Sequence, residues 1–94
     1  MTDKEERKIA EMIRISKENG RHFFDKEALR FFHSTIEMAP DENNYFITCE
    51  DNFDRTERLY TIRQFNFETG RVETIGKFNE FKTLEEAKEA IKNL

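Results

Sequence analysis

The sequence predicts a single α+β domain over residues 1–94, with helices packed on an antiparallel sheet of three to four strands. Two runs rich in β-branched and aromatic residues flank Glu68-Thr69-Gly70-Arg71, which is typical of a β-hairpin. We expect a loop of about three to five residues there, with Gly70 at positive φ. Segments of helical periodicity lie on either side of the predicted strands. With 94 residues, we expect one core and no separate cofactor domain.

The first predicted element is a helix at residues 2–19. Thr2 and Glu5 match a capping box, in which each residue satisfies a backbone N–H of the other. Asn19-Gly20 predicts the C-terminal end of this helix. Apolar or small side chains at i, i+3, i+4 and i+7 give the helix one narrow stripe, formed by Ile9, Met12, Ile13 and Ser16. We expect this stripe to dock the helix on the rest of the domain.

A short helix at residues 25–30, capped by Asp25, precedes the first predicted strand. From Phe31 onward the pattern has a period of two, because Phe32, Ser34, Ile36 and Met38 alternate with the residues between them. This alternation predicts a strand at residues 31–38. A second interpretation, in which the helix runs on to His33, stays open.

Three further strands are predicted at residues 45–50, 58–67 and 71–78. The strand at 45–50 is apolar on both faces, which favours a central place in the sheet. In the strand at 58–67, Tyr60 and Ile62 share one face while Phe65 lies on the other. Either both faces are partly covered, or a bulge near Arg63-Gln64 changes the register, and we favour the bulge. In the last strand, Gly76 is a natural place for a register change.

A helix at residues 84–94 is the last predicted element. Thr83 and Glu86 form a second capping box, and the residues that follow favour helix. Its apolar face consists of Leu84, Ala87, Ile91 and Leu94. The simplest packing of this order of elements places the helices on one face of the sheet.

The composition disfavours several classes of function. Sixteen basic and twenty acidic residues give a net charge of −4, and each half of the chain has eight basic and ten acidic side chains. Generic binding to a phosphate backbone is therefore disfavoured. Cys49 is the only cysteine, so no internal disulfide and no thiolate metal cage can form. The charged N-terminal segment has no signal-peptide pattern, and no apolar run reaches membrane-spanning length, so we expect a cytoplasmic protein.

Catalytic motifs are not evident in the sequence. His22 and His33 have no third ligand at a recognisable spacing, so we predict no metal site. A nucleophilic pair of Cys49 and His33 is conceivable, but a small cysteine in a strand is more often part of the packing. Three scattered glycines cannot cradle a nucleotide phosphate. We therefore predict no catalytic residues, no cofactor and no enzymatic activity.

The remaining pattern combines aromatic rings with arginines. Ten phenylalanines stand against one valine and four leucines, so rings should supply much of the core. Rings beside arginines on a sheet can also stack the bases of single-stranded nucleic acid, or form a patch for a protein partner or a homodimer. The competing interpretation, which we favour, is that the rings fill the core and the arginines pair with glutamates. The candidate binding residues are Phe53, Arg55, Arg58, Tyr60, Arg63, Phe65, Phe67 and Arg71.

Several segments resemble a known family. HFFDKEALRFFHSTI at residues 22–36, YFITCE at 45–50, RLYTIRQF at 58–65 and TGRVETIGKF at 69–78 are similar to small uncharacterised proteins of bacteriophages, prophages and other mobile elements. The resemblance implies a bacterial cytoplasm and an accessory or host-interaction role, and it carries over no functional residues. We expect a non-enzymatic module that binds a protein partner or itself. The alternative is a module that binds single-stranded nucleic acid through an arginine–aromatic sheet face.

Overall fold

The computed structural model describes residues 2–28, 35–51 and 56–94. Its fold is α+β, as predicted, with an antiparallel four-stranded sheet and a helix on either side of it in the chain. Residues 26–28 are helical, and the rest of the short helix predicted at 25–30 reaches beyond the described residues, as does the start of the strand predicted at 31–38. The named elements are α1 (Asp3–Glu18), β1 (Thr35–Met38), β2 (Tyr45–Asp51), β3 (Arg58–Phe65), β4 (Val72–Ile75) and α2 (Leu84–Lys92).

Both ends of α1 follow from local sequence. The predicted capping box is confirmed, because the Thr2 side chain accepts from the Glu5 N–H and the Glu5 carboxylate accepts from the Thr2 N–H. At the other end Gly20 adopts φ +70°, and the N–H of Arg21 donates to the carbonyl of Ser16 at 2.9 Å. A left-handed glycine followed by this bond is a Schellman motif, which ends the helix.

The strands lie in the order β1-β2-β3-β4, and every neighbouring pair is antiparallel. The predicted hairpin joins β3 to β4, and Gly70 has φ +71°. The Asn66 N–H donates to the Arg71 carbonyl at 2.9 Å, so the ladder continues past the strand ends and leaves a four-residue loop at 67–70. This loop length lies within the predicted range.

Two apolar clusters lie on opposite faces of the sheet. On the face that we call the α1 face, Met12 of α1 packs with three buried rings, those of Phe24, Phe46 and Phe65. On the other face, the α2 face, Ala87 of α2 packs with Ile47 and Ile62. The prediction that the helices share one face is therefore wrong. Because apolar side chains alternate along β2 and β3, both faces of the sheet are apolar. Each face needs its own helix to exclude water.

The bulge predicted near Arg63-Gln64 is also wrong. Pairing between β2 and β3 is continuous from Tyr45–Gln64 to Asp51–Arg58, and pairing between β3 and β4 is continuous from Ile62–Ile75 to Phe65–Val72. No register change is needed, because Ile62 faces α2 while Phe65 faces α1. The alternative interpretation, with both faces covered, is the correct one.

The last strand is shorter than predicted, and the chain leaves the sheet after it. β4 ends at Ile75, and Gly76 with φ +79° turns the chain out of the sheet. The chain returns at Phe81, which exchanges two backbone hydrogen bonds with Tyr60 at 2.8 and 3.1 Å. Residues 76–80 therefore form an excursion beside β3, which we call the strap. Thr83 then caps α2 by accepting from the Glu86 N–H.

Candidate functional site

The structure separates the candidate binding residues among several environments. Phe53 and Arg55 lie outside the described residues. Arg63 and Phe65 lie inside the α1 face, with 7% and 1% of their surfaces exposed. Tyr60 packs in the apolar cluster under α2. The remaining described candidates are Arg58, which is exposed at the far end of β3, and Phe67 and Arg71, which belong to the hairpin connection.

A buried ion pair occupies one half of the α1 face. Arg63 on β3 donates from Nη2 to Glu50 Oε1 on β2 at 2.9 Å, and only 1% of Glu50 is exposed. Arg63 Nε also donates to Thr48 Oγ1 at 2.9 Å, and Nη1 donates to Thr74 Oγ1 on β4 at 3.0 Å. One guanidinium therefore joins three strands through three hydrogen bonds, which is the planar, multiple-donor geometry that arginine provides.

Two threonine hydroxyls complete the solvation of the Glu50 carboxylate. Thr48 donates to Oε1 at 2.7 Å, and Thr61 donates to Oε2 at 3.3 Å. Thr48, Glu50, Thr61 and Arg63 are all buried, and we call them the polar half of the α1 face. Because a buried charge is tolerated only when it is paired and hydrogen-bonded, this mutual satisfaction explains how the four side chains remain in the interior.

Aromatic rings and the strap cover the polar half. The Phe23 ring lies 4.8 Å from the Arg63 guanidinium carbon, and the Phe78 ring of the strap lies 5.7 Å from it. The Asn79 N–H donates to Thr61 Oγ1 at 2.9 Å, which fastens the strap to the network. Because these rings, threonines and the Glu50 carboxylate surround Arg63, it is enclosed by the fold and not presented to solvent.

A second polar cluster lies at the end of the α2 face away from the hairpin. The Cys49 thiol donates to Glu37 Oε1 at 2.9 Å, and Arg58 Nη2 donates to the Cys49 sulfur at 3.0 Å. Arg58 also pairs with Asp51 at 3.0 Å. Burial, followed by the hydrogen bond to the Glu37 carboxylate, raises the pKa of the Cys49 thiol, although Thr35 and Arg58 act in the opposite direction. A thiol that keeps its proton is a poor nucleophile.

A groove lies at the hairpin end of the sheet, where the β1–β2 and β3–β4 connections meet. It has a volume of about 490 Å³ and is lined by Asn44, Gln64, Phe65, Asn66, Phe67, Glu68, Arg71 and Glu73. We call it the hairpin-end groove. Three of its lining residues, Phe65, Phe67 and Arg71, were candidates from the sequence. The structure thus brings part of the candidate set together, in a setting of carboxamides and carboxylates.

The backbone around this groove is held in place from both sides. Ser16 Oγ of α1 donates to the Gly70 carbonyl at 3.1 Å, and a Cβ atom on Gly70 would lie 3.0 Å from the Ile15 carbonyl oxygen. Phe67 packs edge-to-face on Phe65, with ring centroids 4.8 Å apart. The Phe65 N–H donates to the Asn44 carbonyl at 3.0 Å, so the two connections are also joined. The groove is therefore a preformed surface feature and not a gap between loose loops.

Metal chemistry has no cluster to support it in the described part of the chain. Within residues 2–28, 35–51 and 56–94, no group of three or more His, Cys, Asp or Glu side chains is arranged to hold a metal ion. His33, one of the two histidines, falls outside those residues, so the structure does not test the Cys49–His33 pair that the sequence disfavours. Among the described helices, none is long and apolar enough to cross a membrane.

The fold and its sites define a class of small α+β domains in which, within the described residues, α1 packs on one face of the sheet and α2 on the other. Within that class the assignment rests on sequence: the profile of a family of unknown function, DUF7447, matches residues 8–92, and the chain belongs to that family. No curated protein and no solved structure matches the chain significantly. The family carries no activity that could assign a role to the polar half or to the hairpin-end groove.

Sequence reasoning missed most residues that form these sites. Glu50 ends the strand predicted at 45–50, where a carboxylate is expected to be solvated, yet its spacing from Phe46 and Thr48 places it on the α1 face. That alternation is the one signal that could have found it. Asn44, Gln64 and Glu73 come from three separate segments that only the register of β2, β3 and β4 brings to one groove.

Proposed function

We propose that this chain is a non-enzymatic module that binds a protein partner in the hairpin-end groove. The observation that carries the proposal is the lining of that groove. Exposed charged side chains, carboxamides and a half-buried phenyl ring converge there on backbone fixed by α1. Such a mixture of an aromatic contact with polar groups around it is typical of surfaces that bind proteins.

The absence of an activated side chain in the two polar clusters supports a binding role over catalysis. Glu50 and Arg63 satisfy each other in the interior, so neither group is placed to meet a substrate. The raised pKa of Cys49 keeps its thiol protonated at neutral pH. An enzyme would instead be expected to hold a titratable group in an accessible cleft.

Affinity capture from bacterial lysate tests the proposal when it compares matched variants. Glu68→Trp places a large side chain in the groove at an exposed position, and Glu6→Trp makes the same change on the exposed side of α1. We expect a partner that the wild-type chain and Glu6→Trp retain and that Glu68→Trp loses. The purified partner should then bind Glu68→Trp at least about tenfold more weakly by calorimetry. Equal binding to both variants would remove the groove from the proposal.

Single-stranded nucleic acid is the alternative ligand, and the same protein tests it. Three candidate arginines have acidic partners, namely Arg58 with Asp51, Arg63 with Glu50 and Arg71 with Glu73. Their charge is thus partly compensated, which weakens the case for phosphate contacts. Titration of labelled oligonucleotides at low and at moderate salt separates the two functions, because phosphate contacts are strongest at low salt. Binding at low salt that fades with added salt would favour the alternative.

We also propose the biological setting that the sequence resemblance implies, an accessory or host-interaction role in a bacterial cell for a phage or mobile-element protein. A host protein as the captured partner would support this role. Sequencing of the genes on either side of the coding region tests the origin independently. Neighbours without phage, prophage or transposition genes would count against it, and the binding proposal would stand unchanged.

A further inference from the structure

We propose that the outer edge of β4, together with the hairpin-end groove, binds an extended basic peptide as an added strand of the sheet. This inference rests on the proposed function and deepens it, because it names the chemistry of the partner. Its basis is the geometry of one sheet edge and the charge beside it.

β4 is an edge of the sheet, and within the described residues it pairs with β3 alone. Hydrogen bonds in an antiparallel ladder alternate, so successive residues point their N–H and C=O groups to opposite sides. The Asn66 N–H points to the β4 side, where it bonds to Arg71, and the Phe65 N–H points to the β2 side, where it bonds to Asn44. The phase of the ladder is thereby fixed.

This phase determines which backbone groups of β4 are available. Phe65 pairs with Val72, and Arg63 pairs with Thr74, so both are pairs without mutual backbone hydrogen bonds. The N–H and C=O groups of Val72 and Thr74 consequently point away from β3, toward the outer edge. An extended segment that lies along β4 can satisfy them in the manner of β-strand addition.

The charge of the groove selects the partner. Its lining holds two carboxylates, Glu68 and Glu73, and one guanidinium, Arg71, whose Nε lies 3.5 Å from Glu73 Oε1. The lining is thus acidic by one charge, and the chain as a whole has a net charge of −4. Glu73 shares the α2 face with Gln64, its paired neighbour, and both line the groove beside the edge. A Lys or Arg side chain on the added strand would meet Glu73 there.

A titration of the 15N-labelled full chain tests the inference with defined peptides. The probe is an acetylated and amidated peptide of sequence Lys-Thr-Val-Thr-Lys-Val-Thr, and its counterpart has Glu at both Lys positions. We expect the basic peptide to shift the amide signals of Val72 and Thr74 and those of the groove. The acidic peptide should bind at least about tenfold more weakly. Equal binding of the two peptides, or no binding of the basic one, overturns the inference.

Two substitutions at one position isolate the backbone contact. Thr74→Pro removes the outward N–H without deleting a hydrogen bond to β3, whereas Thr74→Val keeps that N–H, and both lose the hydroxyl that accepts from Arg63. We expect Thr74→Pro to weaken the basic peptide about tenfold relative to Thr74→Val. Equal affinities would show that the peptide does not pair with the edge. Should Thr74→Pro fail to fold, the same peptide N-methylated at alternate backbone amides supplies the comparison on the wild-type chain.

A substitution at Glu73 tests the charge contact with the peptide separately. Glu73→Lys should weaken the basic peptide and strengthen the acidic one, and unchanged affinities would overturn the choice of a basic partner. Failure of the inference is distinguishable from failure of the proposed function. If Glu68→Trp abolishes binding of a captured protein partner while Thr74→Pro and Glu73→Lys leave that binding unchanged, the groove function stands and strand addition is excluded.

Discussion

The two halves of the α1 face differ in how they hold the molecule together. In the apolar half, Met12, Phe24, Phe46 and Phe65 exclude water and contact each other in several orientations, with ring centroids of Phe24 6.3 Å from both Phe46 and Phe65. In the polar half, Arg63 and Glu50 are fixed by directional hydrogen bonds to three threonines. Burial in the first half is non-directional, whereas the second half accepts only one alignment of β2, β3 and β4.

Together, the two halves explain how a small sheet can be both stable and unique in register. Apolar contacts stabilise many arrangements of similar shape, and a slip by two residues along β3 would retain much of the burial. The same slip would separate Arg63 from Glu50 and leave a buried charge without a partner. We infer that the apolar half provides most of the stability of this face and that the polar half specifies the register.

Removal of one charge should have the largest effect. Glu50→Ala leaves the Arg63 guanidinium in the interior without its carboxylate, and we expect a loss of about 3–5 kcal/mol in the free energy of unfolding. Urea denaturation followed by circular dichroism measures it. The double variant Glu50→Leu/Arg63→Met should recover most of this loss, because apolar side chains can replace a buried pair. A loss below about 1 kcal/mol in the single variant, the size typical of an exposed ion pair, would contradict the interpretation.

In the apolar half, the loss of stability caused by a substitution should depend on the change in side-chain volume and not on its chemistry. Met12→Ala creates a cavity in a fully buried position, and we expect a loss of ~2–5 kcal/mol. Met12→Leu conserves volume and should cost less than ~1.5 kcal/mol. Glu50→Gln is similarly close in shape, yet it removes a charge and should cost more than Met12→Leu. Equal costs for Met12→Leu and Glu50→Gln in the same urea assay would erase the distinction between the halves.

A smaller effect is expected where the strap meets the polar half. Thr61→Val removes the hydroxyl that donates to Glu50 and accepts from the Asn79 N–H. We expect a loss of ~1–3 kcal/mol and faster hydrogen exchange at the Asn79 amide. Exchange in α2, which packs on the other face, serves as the internal control. Faster exchange in α2 as well would indicate general destabilisation and not release of the strap.

The smallest effect should come from the polar cluster on the α2 face, which provides a contrast to the polar half. Burial and the Glu37 carboxylate raise the pKa of Cys49 above its ordinary value near 9. The folded chain therefore holds the thiol proton more tightly than the unfolded chain, so the Cys49 contribution is present below pH ~9 and is lost as the pH rises further. Melting temperatures of wild type and Cys49→Ala between neutral and alkaline pH measure it. Parallel pH profiles for the two proteins would contradict the prediction.

Local signals in the sequence were sufficient for most of the secondary structure. The Thr2–Glu5 capping box, the helix stop at Asn19-Gly20 and the Gly70 hairpin depend on near neighbours in the chain, and all three occur as predicted. The apolar residues on both faces of 45–50 correctly predicted a central strand, because such a strand is covered on both sides of the sheet. The strand predicted at 71–78 was too long, because strand propensity does not show that the chain leaves the sheet at Gly76.

The candidate site was less predictable, because it depends on long-range pairing. Arg63 and Phe65 have the composition of an open binding face, but α1 and the Phe23-Phe24 segment cover them. Nothing near Glu50 in the chain identifies Arg63 as its partner, since the two residues meet across neighbouring strands. The hairpin-end groove likewise combines residues from separate connections.

The main elements of this protein, their order and the position of its hairpin thus follow from the amino-acid sequence alone. Those features arise from backbone dihedrals, caps and side-chain period, which act over a few residues. The folded chain was needed to see that α1 and α2 take opposite faces and that a buried Glu50–Arg63 pair joins three strands. Water exclusion and charge pairing act between surfaces, and those surfaces exist only after the strands have aligned.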